Sequence, residues 1–221
     1  MDGATSDMVY EVLHEAIVSG ILPPGQRLTE EQLARLFAVS RTPIREAILR
    51  LEAEHLAERV PRRGLRVSHI TPREIIDVYV VREALDGLAA YLAAQRATPA
   101  DVAHLSWINE HFTRAAMAGD FEQLAELNLQ FHEAVAQTSQ NSLLMEFIKH
   151  IHRMVRRFGT TTFTYPGRAI SAAQAHQRLV EAIAAHDADL ARQIAMDDMA
   201  IARQIRILML QGQDLGPNER A

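Results

Sequence analysis

Four residues in the later part of the chain have the types and spacing to hold a metal ion. Asn128 and His132 stand four apart, which on a helix turns both side chains toward one point. Asn128 falls on an apolar stripe of Leu124, Phe131 and Val135, with His132 beside it. His176 falls on a stripe of Ala173, Val180 and Ile183. Asp198 falls on a stripe of Ala191, Ile194, Ile201, Ile205 and Leu208. An ionised aspartate on an apolar face is costly unless it is paired or bound to metal. Four inward polar groups on three helices therefore point to one shared site. Two imidazoles, a carboxylate and an amide oxygen suit a divalent transition metal: zinc, nickel or manganese. The alternative is a metal-free polar cavity in which the histidines and Arg82 bind a small carboxylate. A metal-dependent hydrolase would use the same His/Asp set, but no second carboxylate is placed as a general base. No residue is therefore assigned as catalytic, and no enzyme activity is expected. His104, His111, His150 and His152 lack a partner pattern and read as surface or packing residues.

A second chemistry lies nearer the start. Of the 23 basic residues only Lys149 is lysine; the rest are arginine, which makes planar contacts to phosphates, carboxylates and guanine edges. The whole chain carries −5, so its total charge does not mark a nucleic-acid binder. Between Arg41 and Arg66, however, seven arginines face four glutamates, a local charge of +3. These arginines fall at the start of a helix and at the tip of a hairpin. A helix N-terminus in the major groove and a basic hairpin on the flanking backbone are the two contacts of a winged helix on DNA. Arginine pairs bidentately with guanine O6 and N7, and Ser40 at the helix start suits a phosphate.

The elements that place these groups can be read in order. A helix is expected from about Ser6 to Ser19, ended by Gly20 and the Pro23-Pro24-Gly25 turn. Thr29-Glu30-Glu31-Gln32 is a capping box that opens a second helix. A third, with Pro43 in its first turn, runs from Ser40 to about Glu54 and buries Ile44, Ala47, Ile48 and Leu51. Leu56–Val60 and Leu65–His69, joined by Pro61-Arg62-Arg63-Gly64, read as a β-hairpin. This order is a winged helix-turn-helix, taken as the domain 1–70. Thr71-Pro72-Arg73-Glu74 and Thr98-Pro99-Ala100-Asp101 are further helix starts. Six helices are expected at about 72–95, 99–118, 120–138, 141–158, 168–186 and 187–210, in a domain spanning 71–221. The fold class is thus mainly α: an N-terminal winged helix-turn-helix and a C-terminal all-α six-helix bundle, large enough to enclose a ligand.

Composition narrows the setting. Apolar residues make up 48% and charged residues 23%, which excludes general disorder. No stretch reaches the ~18 consecutive apolar residues of a membrane span, so no membrane association is expected. The first residues carry neither a basic cluster nor an apolar run, unlike a secretory signal. The absence of cysteine removes disulfides and thiolate sites and fits a cytoplasmic setting.

Several of these residues also carry a family resemblance. Ile21-Leu22-Pro23-Pro24-Gly25-Gln26-Arg27-Leu28-Thr29-Glu30, then Leu33-Ala34, Val39-Ser40-Arg41-Thr42-Pro43-Ile44-Arg45-Glu46-Ala47-Ile48 and Leu51-Glu52 resemble the signature of GntR-family bacterial transcription regulators. The later helices resemble the FadR-type (FCD) effector domain, and their number resembles the VanR subgroup. Arg82-Glu83-Ala84-Leu85-Asp86, Phe131-His132, Gln140-Asn141 and His176 stand where that domain has its recurring motifs. The resemblance implies that Arg41, Thr42 and Arg45 read bases, Ser40 holds a phosphate, and Arg63-Gly64 enter the groove from the wing. Many relatives have an arginine near the start of the second helix; this chain has Glu31, which implies a different operator preference. Metal-binding relatives supply Asp-x-x-x-His and two later histidines; here Asn128 and Asp198 exchange ligand types while one carboxylate is kept. The expected function is a homodimeric, DNA-binding transcription regulator responsive to a small organic acid effector, directly or through a divalent metal. Its partners are double-stranded operator DNA, with two half-sites for two heads, and a second copy of the chain. Val78, Val81, Phe147 and Ile151 are the candidate dimer contacts.

Overall fold

The computed structural model describes residues 5–61, 64–69, 71–158 and 161–213. The chain divides into two compact units, one of residues up to Thr71 together with the short stretch 156–158 and one of the remainder from Pro72 onward.

In the first unit each helix starts at a residue able to cap it. Helix α1 (Ser6–Val18) begins after Thr5, whose hydroxyl accepts the Met8 amide. Strand β1 is only Arg27–Leu28. Helix α2 (Glu30–Phe37) begins after Thr29, which accepts the Gln32 amide at 3.2 Å. It ends at Ala38, which takes the left-handed conformation (φ 54°) that closes the tight turn into α3 (Arg41–Ala53). Strands β2 (Ala57–Val60) and β3 (Gly64–Val67) form the expected hairpin, with Val60 opposite Gly64. Strand β1 adds to the far side of β3, giving an antiparallel sheet in the order β1-β3-β2. A two-residue strand carries no period-two signal, so the sequence did not announce it. The core joins Val9, Leu13 and Ile17 of α1 to Ile44, Ile48 and Leu51 of α3, closed by Leu28, Leu65 and Val67 of the sheet. All four expected core residues of α3 are buried, which leaves Arg41, Thr42 and Arg45 outward.

In the second unit, six α-helices are found among the described residues: α4 (Pro72–Arg96), α5 (Pro99–Ala118), α6 (Phe121–Thr138), α7 (Ser142–Arg156), α8 (Arg168–Ala184) and α9 (Ala188–Gln213). The start of α5 is a reciprocal box: Thr98 Oγ1 accepts the Asp101 amide, and Asp101 Oδ2 accepts the Thr98 amide at 2.8 Å. Between α7 and α8 a 3₁₀ turn (Thr162–Thr164) sets Phe163 edge-on against Phe112, with ring centroids 5.3 Å apart. Helix α4 packs along α9, with Arg192 over the Tyr91 ring at 4.1 Å and Arg203 paired with Glu83 at 3.2 Å. A Cβ on Gly87 of α4 would lie 2.6 Å from Met196 Cγ of α9, so any larger residue there must displace the Met196 side chain.

The buried face of α9 agrees with the expected one at Ala191, Asp198 and Ile205 and differs at Ile201 and Leu208. Ala191, Ala195, Asp198, Met199, Ala202 and Ile205 are buried, whereas Ile201 and Leu208 are exposed. The seam follows the alanines, turned by roughly 100° from the Ile194–Ile201–Leu208 line at ~100° per residue. No helix among the described residues is long and apolar enough to cross a membrane.

Candidate functional site

The first unit presents its arginines around the start of α3. Ser40 occupies the N-cap position in extended conformation, and its side chain makes no capping hydrogen bond, which leaves the hydroxyl for another acceptor. Arg41, Thr42 and Arg45 are exposed. A groove of about 300 Å³ lies beside them, lined by Arg27, Thr29, Glu30, Arg41, Arg59 and Gly64 among others. Gly64 holds φ +78°, a left-handed conformation suited to glycine, and the Arg27 side chain lies beside it. Arg63, expected to act with Gly64, lies outside the described residues. Arg45 Nε donates to Glu30 Oε2 at 2.8 Å, and Glu31 pairs with Arg35 of its own helix at 2.7 Å. Arg27 was not foreseen as part of this surface, because its strand was not.

The second unit brings His132 of α6, His176 of α8 and Asp198 of α9 together: one ligand-type atom from each lies within 4.8 Å of the others. All three residues are buried. Asn128, one turn before His132, is also buried, and its Oδ1 has no hydrogen-bond partner. The His176 ring lies parallel to Phe131 at 4.0 Å and nearly perpendicular to His132 at 5.5 Å. Neither His176 nitrogen has a partner, nor do His132 Nε2 and Asp198 Oδ2.

Around these stand Arg82, expected from the sequence to bind a carboxylate, and three residues not expected at the site, Asp86, His152 and Arg168. Arg168, at the first turn of α8, is 2% exposed and donates from Nη1 to Asp198 Oδ1 at 2.6 Å. Arg82 of α4 donates from Nε to Asp86 Oδ2 at 3.0 Å, and that oxygen is 3.7 Å from His132 Nδ1. Arg82 is thus tied to Asp86 by one nitrogen while its Nη2 remains unpartnered, as does Arg168 Nε. His152 of α7, read from sequence as a surface or packing residue, is buried, with Nδ1 3.3 Å from Glu133 Oε1 and its ring 6.4 Å from His132. It joins the cluster because the strongly amphipathic α7 turns that face inward with Leu144, Ile148 and Ile151. The (i, i+4) spacing of Arg82 and Asp86, and of Ile148 and His152, was the available signal.

Burial fixes the protonation states. It pushes the His176 imidazole down to about 4, aided by the Arg168 and Arg82 guanidiniums and opposed by Asp198. Burial, then the Arg82 charge and the neighbouring histidines, hold His132 well below its ordinary value. His152 is lowered by burial against the pull of Glu133. Burial raises the Asp86 carboxyl even with Arg82 attached. At neutral pH the imidazoles are therefore neutral and keep a lone pair each, the form that binds metal. Native interiors leave few buried polar atoms unpaired. Here acceptors (Asn128 Oδ1, Asp198 Oδ2, imidazole nitrogens) and guanidinium donors are left together. The donor set fits a divalent cation, and the guanidinium nitrogens fit an anion next to it.

Comparison with known proteins bears on both units. Residues 5–67 match the family described as bacterial regulatory proteins, gntR family, and residues 77–200 match the FCD domain. The chain is 29% identical over 185 residues to the uncharacterised HTH-type transcriptional regulator YdhC of Bacillus subtilis, covering 83% of each. It is 33% identical over 132 residues, 60% of each chain, to the HTH-type transcriptional regulator McbR of Escherichia coli. The HTH-type transcriptional repressor RspR of Escherichia coli is 25% identical over 95% of this chain and 92% of its own. The solved structure of E. coli McbR/YncC superposes with a TM-score of 0.69 at 26% identity, covering 96% of this chain and 99% of that one. These relatives are named as transcriptional regulators, none as a hydrolase. With a helix-turn-helix and β-hairpin in one unit and a buried polar cluster in the other, the chain belongs to the GntR family: it is a DNA-binding transcription regulator with an FCD effector-binding domain.

Proposed function

We propose that this regulator binds a two-fold symmetric operator as a homodimer and answers to a small organic acid held in the helical unit. In this reading Arg41, Thr42 and Arg45 contact bases, Ser40 holds a phosphate, and Arg63 and Gly64 approach from the wing. The reading is supported by the exposed start of α3, where Ser40 and Arg41 are committed to no capping bond or ion pair among the described residues. The protein acts in the cytoplasm as a binding protein rather than an enzyme. Its six FCD helices favour the VanR-like subgroup. The copies meet along α4 and α7, where exposed Val81 and Phe147 border an apolar groove of about 420 Å³ that also includes Val78 and Ile151.

The effector reading rests on one observation above all: Arg82 Nη2 and Arg168 Nε are buried and unpartnered next to the His132–His176–Asp198 group. His132, His176 and Asp198, with the Asn128 amide oxygen, would hold a zinc, nickel or manganese ion. Such an ion supplies a Lewis-acid anchor for carboxylate oxygens. Arg82 and Arg168 orient the anion through Arg82 Nη2 and Arg168 Nε, and Asp86 and Asp198 hold both guanidiniums in place. The apolar shell of Phe131, Phe112 and Phe163 excludes water and strengthens these contacts. Regulation follows only if the acid binds two states of the dimer with different affinity.

Native mass spectrometry with metal analysis, on protein purified without chelator, tests the site. One divalent ion per chain is expected, lost in His176→Ala with operator binding intact. A metal content unchanged by His176→Ala would overturn the metal assignment. Operator binding that ignores every small organic acid, with Arg82 and Arg168 unprotected from isotope exchange by any of them, would overturn the effector assignment.

A further inference from the structure

Arg45 is held from the side before any DNA arrives. Glu30, the first residue of α2, accepts Arg45 Nε at 2.8 Å through Oε2. Its other oxygen, Oε1, lies 3.7 Å from Arg59 Nη2 on β2. Arg59 Nε lies in turn 3.1 Å from Glu52 Oε1 on α3. One carboxylate therefore ties the recognition helix to the wing strand from a third element. Glu31 beside it behaves differently. It is spent on Arg35 of its own helix and is far more exposed, with side-chain exposures of 64% for Glu31 and 24% for Glu30.

A guanidinium offers two edges for bidentate pairing, the Nε side and the terminal Nη1–Nη2 fork. With Nε committed to Glu30, the terminal fork is the edge left for guanine O6 and N7. The Arg45 side chain is 60% exposed, so without this contact its long stem samples many rotamers. Fixing it beforehand removes an ordering cost from the bound state. The carboxylate also faces a groove that includes Arg27, Arg41 and Arg59, where it opposes phosphate. A group serving affinity alone would be basic at this place; an acid there trades affinity for direction.

We propose that Glu30 is a specificity-determining positioning residue, which fixes Arg45 with its terminal fork toward the major groove and ties it to Arg59 of the wing. This rests on the base-reading role of Arg45 proposed above. The hydrogen bond from Arg45 also holds the Glu30 carboxyl below its ordinary range, so it stays ionised at any working pH.

The test uses the full-length chain and two probes: a duplex enriched from a randomised library by the wild-type protein, and a scrambled duplex of equal composition. Glu30→Gln keeps the shape and removes the charge. Glu30→Asp keeps the charge at the start of α2, and with it the favourable helix-dipole interaction, but withdraws the carboxylate by one methylene. Both variants are expected to lose about tenfold in the enriched-to-scrambled affinity ratio, within the discrimination that a bidentate guanine contact supplies. Glu30→Gln is expected to bind the scrambled duplex at least as tightly as wild type, which separates misdirection from unfolding. In an Arg45→Ala background, Glu30→Gln should change the ratio by less than about twofold, since coupled residues are not additive. An unchanged ratio in both single variants overturns the proposal, as does an equal loss with and without Arg45. An Arg45→Ala variant with the wild-type ratio overturns the base-reading role itself, which is a distinct outcome. If either variant is unfolded at the assay temperature, the other carries the test.

Discussion

Acidification should unfold the helical unit through His176. The ring is buried against Phe131 with neither nitrogen partnered, and burial holds it near 4 where the ordinary value is 6.5. Its folded value lies below its unfolded one. Between pH 6.5 and about 4 the unfolded chain takes up a proton that the folded unit refuses. The stability tied to His176 is therefore complete above pH 6.5 and is lost progressively as the pH falls toward 4. At pH 5 the loss from this one group comes to about 2 kcal/mol. His132 and His152 are shifted the same way and add to it. Asp86 acts oppositely: its raised value means that the folded unit binds a proton more readily than the unfolded chain, which offsets part of the loss. Trp107 is the only tryptophan and lies on α5, so its fluorescence reports this unit. Urea unfolding of chelator-treated protein at pH 7 and pH 5 measures the loss. His176→Phe keeps an aromatic ring against Phe131 and removes the nitrogens. Whatever it does to absolute stability, it should reduce the difference between the two pH values by about 2 kcal/mol. An identical difference in wild type and His176→Phe would refute the reasoning.

Three further outcomes are expected. Arg168→Met leaves Asp198 buried without its counter-ion and should cost about 3–5 kcal/mol in urea unfolding; Asp198→Asn added to it should recover part of that, and a fully stable single variant would contradict the buried pairing. Gly87→Ala places a methyl against Met196 and should cost about 1–3 kcal/mol, read by thermal melting with DNA binding retained below the transition. Arg45→Ala should weaken binding to a selected operator by about 1–3 kcal/mol and relax its sequence preference, whereas Arg63→Ala should weaken binding with little change in preference; a gel-shift titration separates the two.

Much of the site could be read without coordinates because its members contradict their surroundings. A histidine and an aspartate on apolar stripes are visible as misfits, and His132, His176 and Asp198 do come together. Thr98 and Asp101 likewise announce a helix start that forms as a full reciprocal box. Arg168 escaped notice because it follows a turn, where an arginine is unremarkable; its burial depends on α9 arriving opposite. His152 escaped because its face of α7 is decided by what lies beneath it, and Asp86 because a lone carboxylate four residues from an arginine usually sits in solvent. The misjudged residues of α9, Ile201 and Leu208, have the same origin. Periodicity places residues around a helix, but the neighbour decides which sector is covered, and Gly87 of α4 brings Met196 of α9 close. Strand β1 is set by pairing with β3 across 37 or more residues and has no local pattern of its own.

The pairing of α4 with α9 has a consequence for how the chain is made. These are the first and last helices of the second unit, 25 and 26 residues long, and they form its most extensive helix–helix contact. Nearly a hundred residues separate them, so this contact closes the largest loop in the unit and bears its greatest closure entropy. On the ribosome, α4 emerges early and must wait, the side that α9 covers still open, until α9 has been synthesised. The winged helix has its own core in residues 9–67 and can fold before that point. A nascent or truncated chain lacking α9 would therefore carry a finished DNA-binding head on an unfinished helical unit, competent to find DNA but without Asp198 to complete the polar cluster.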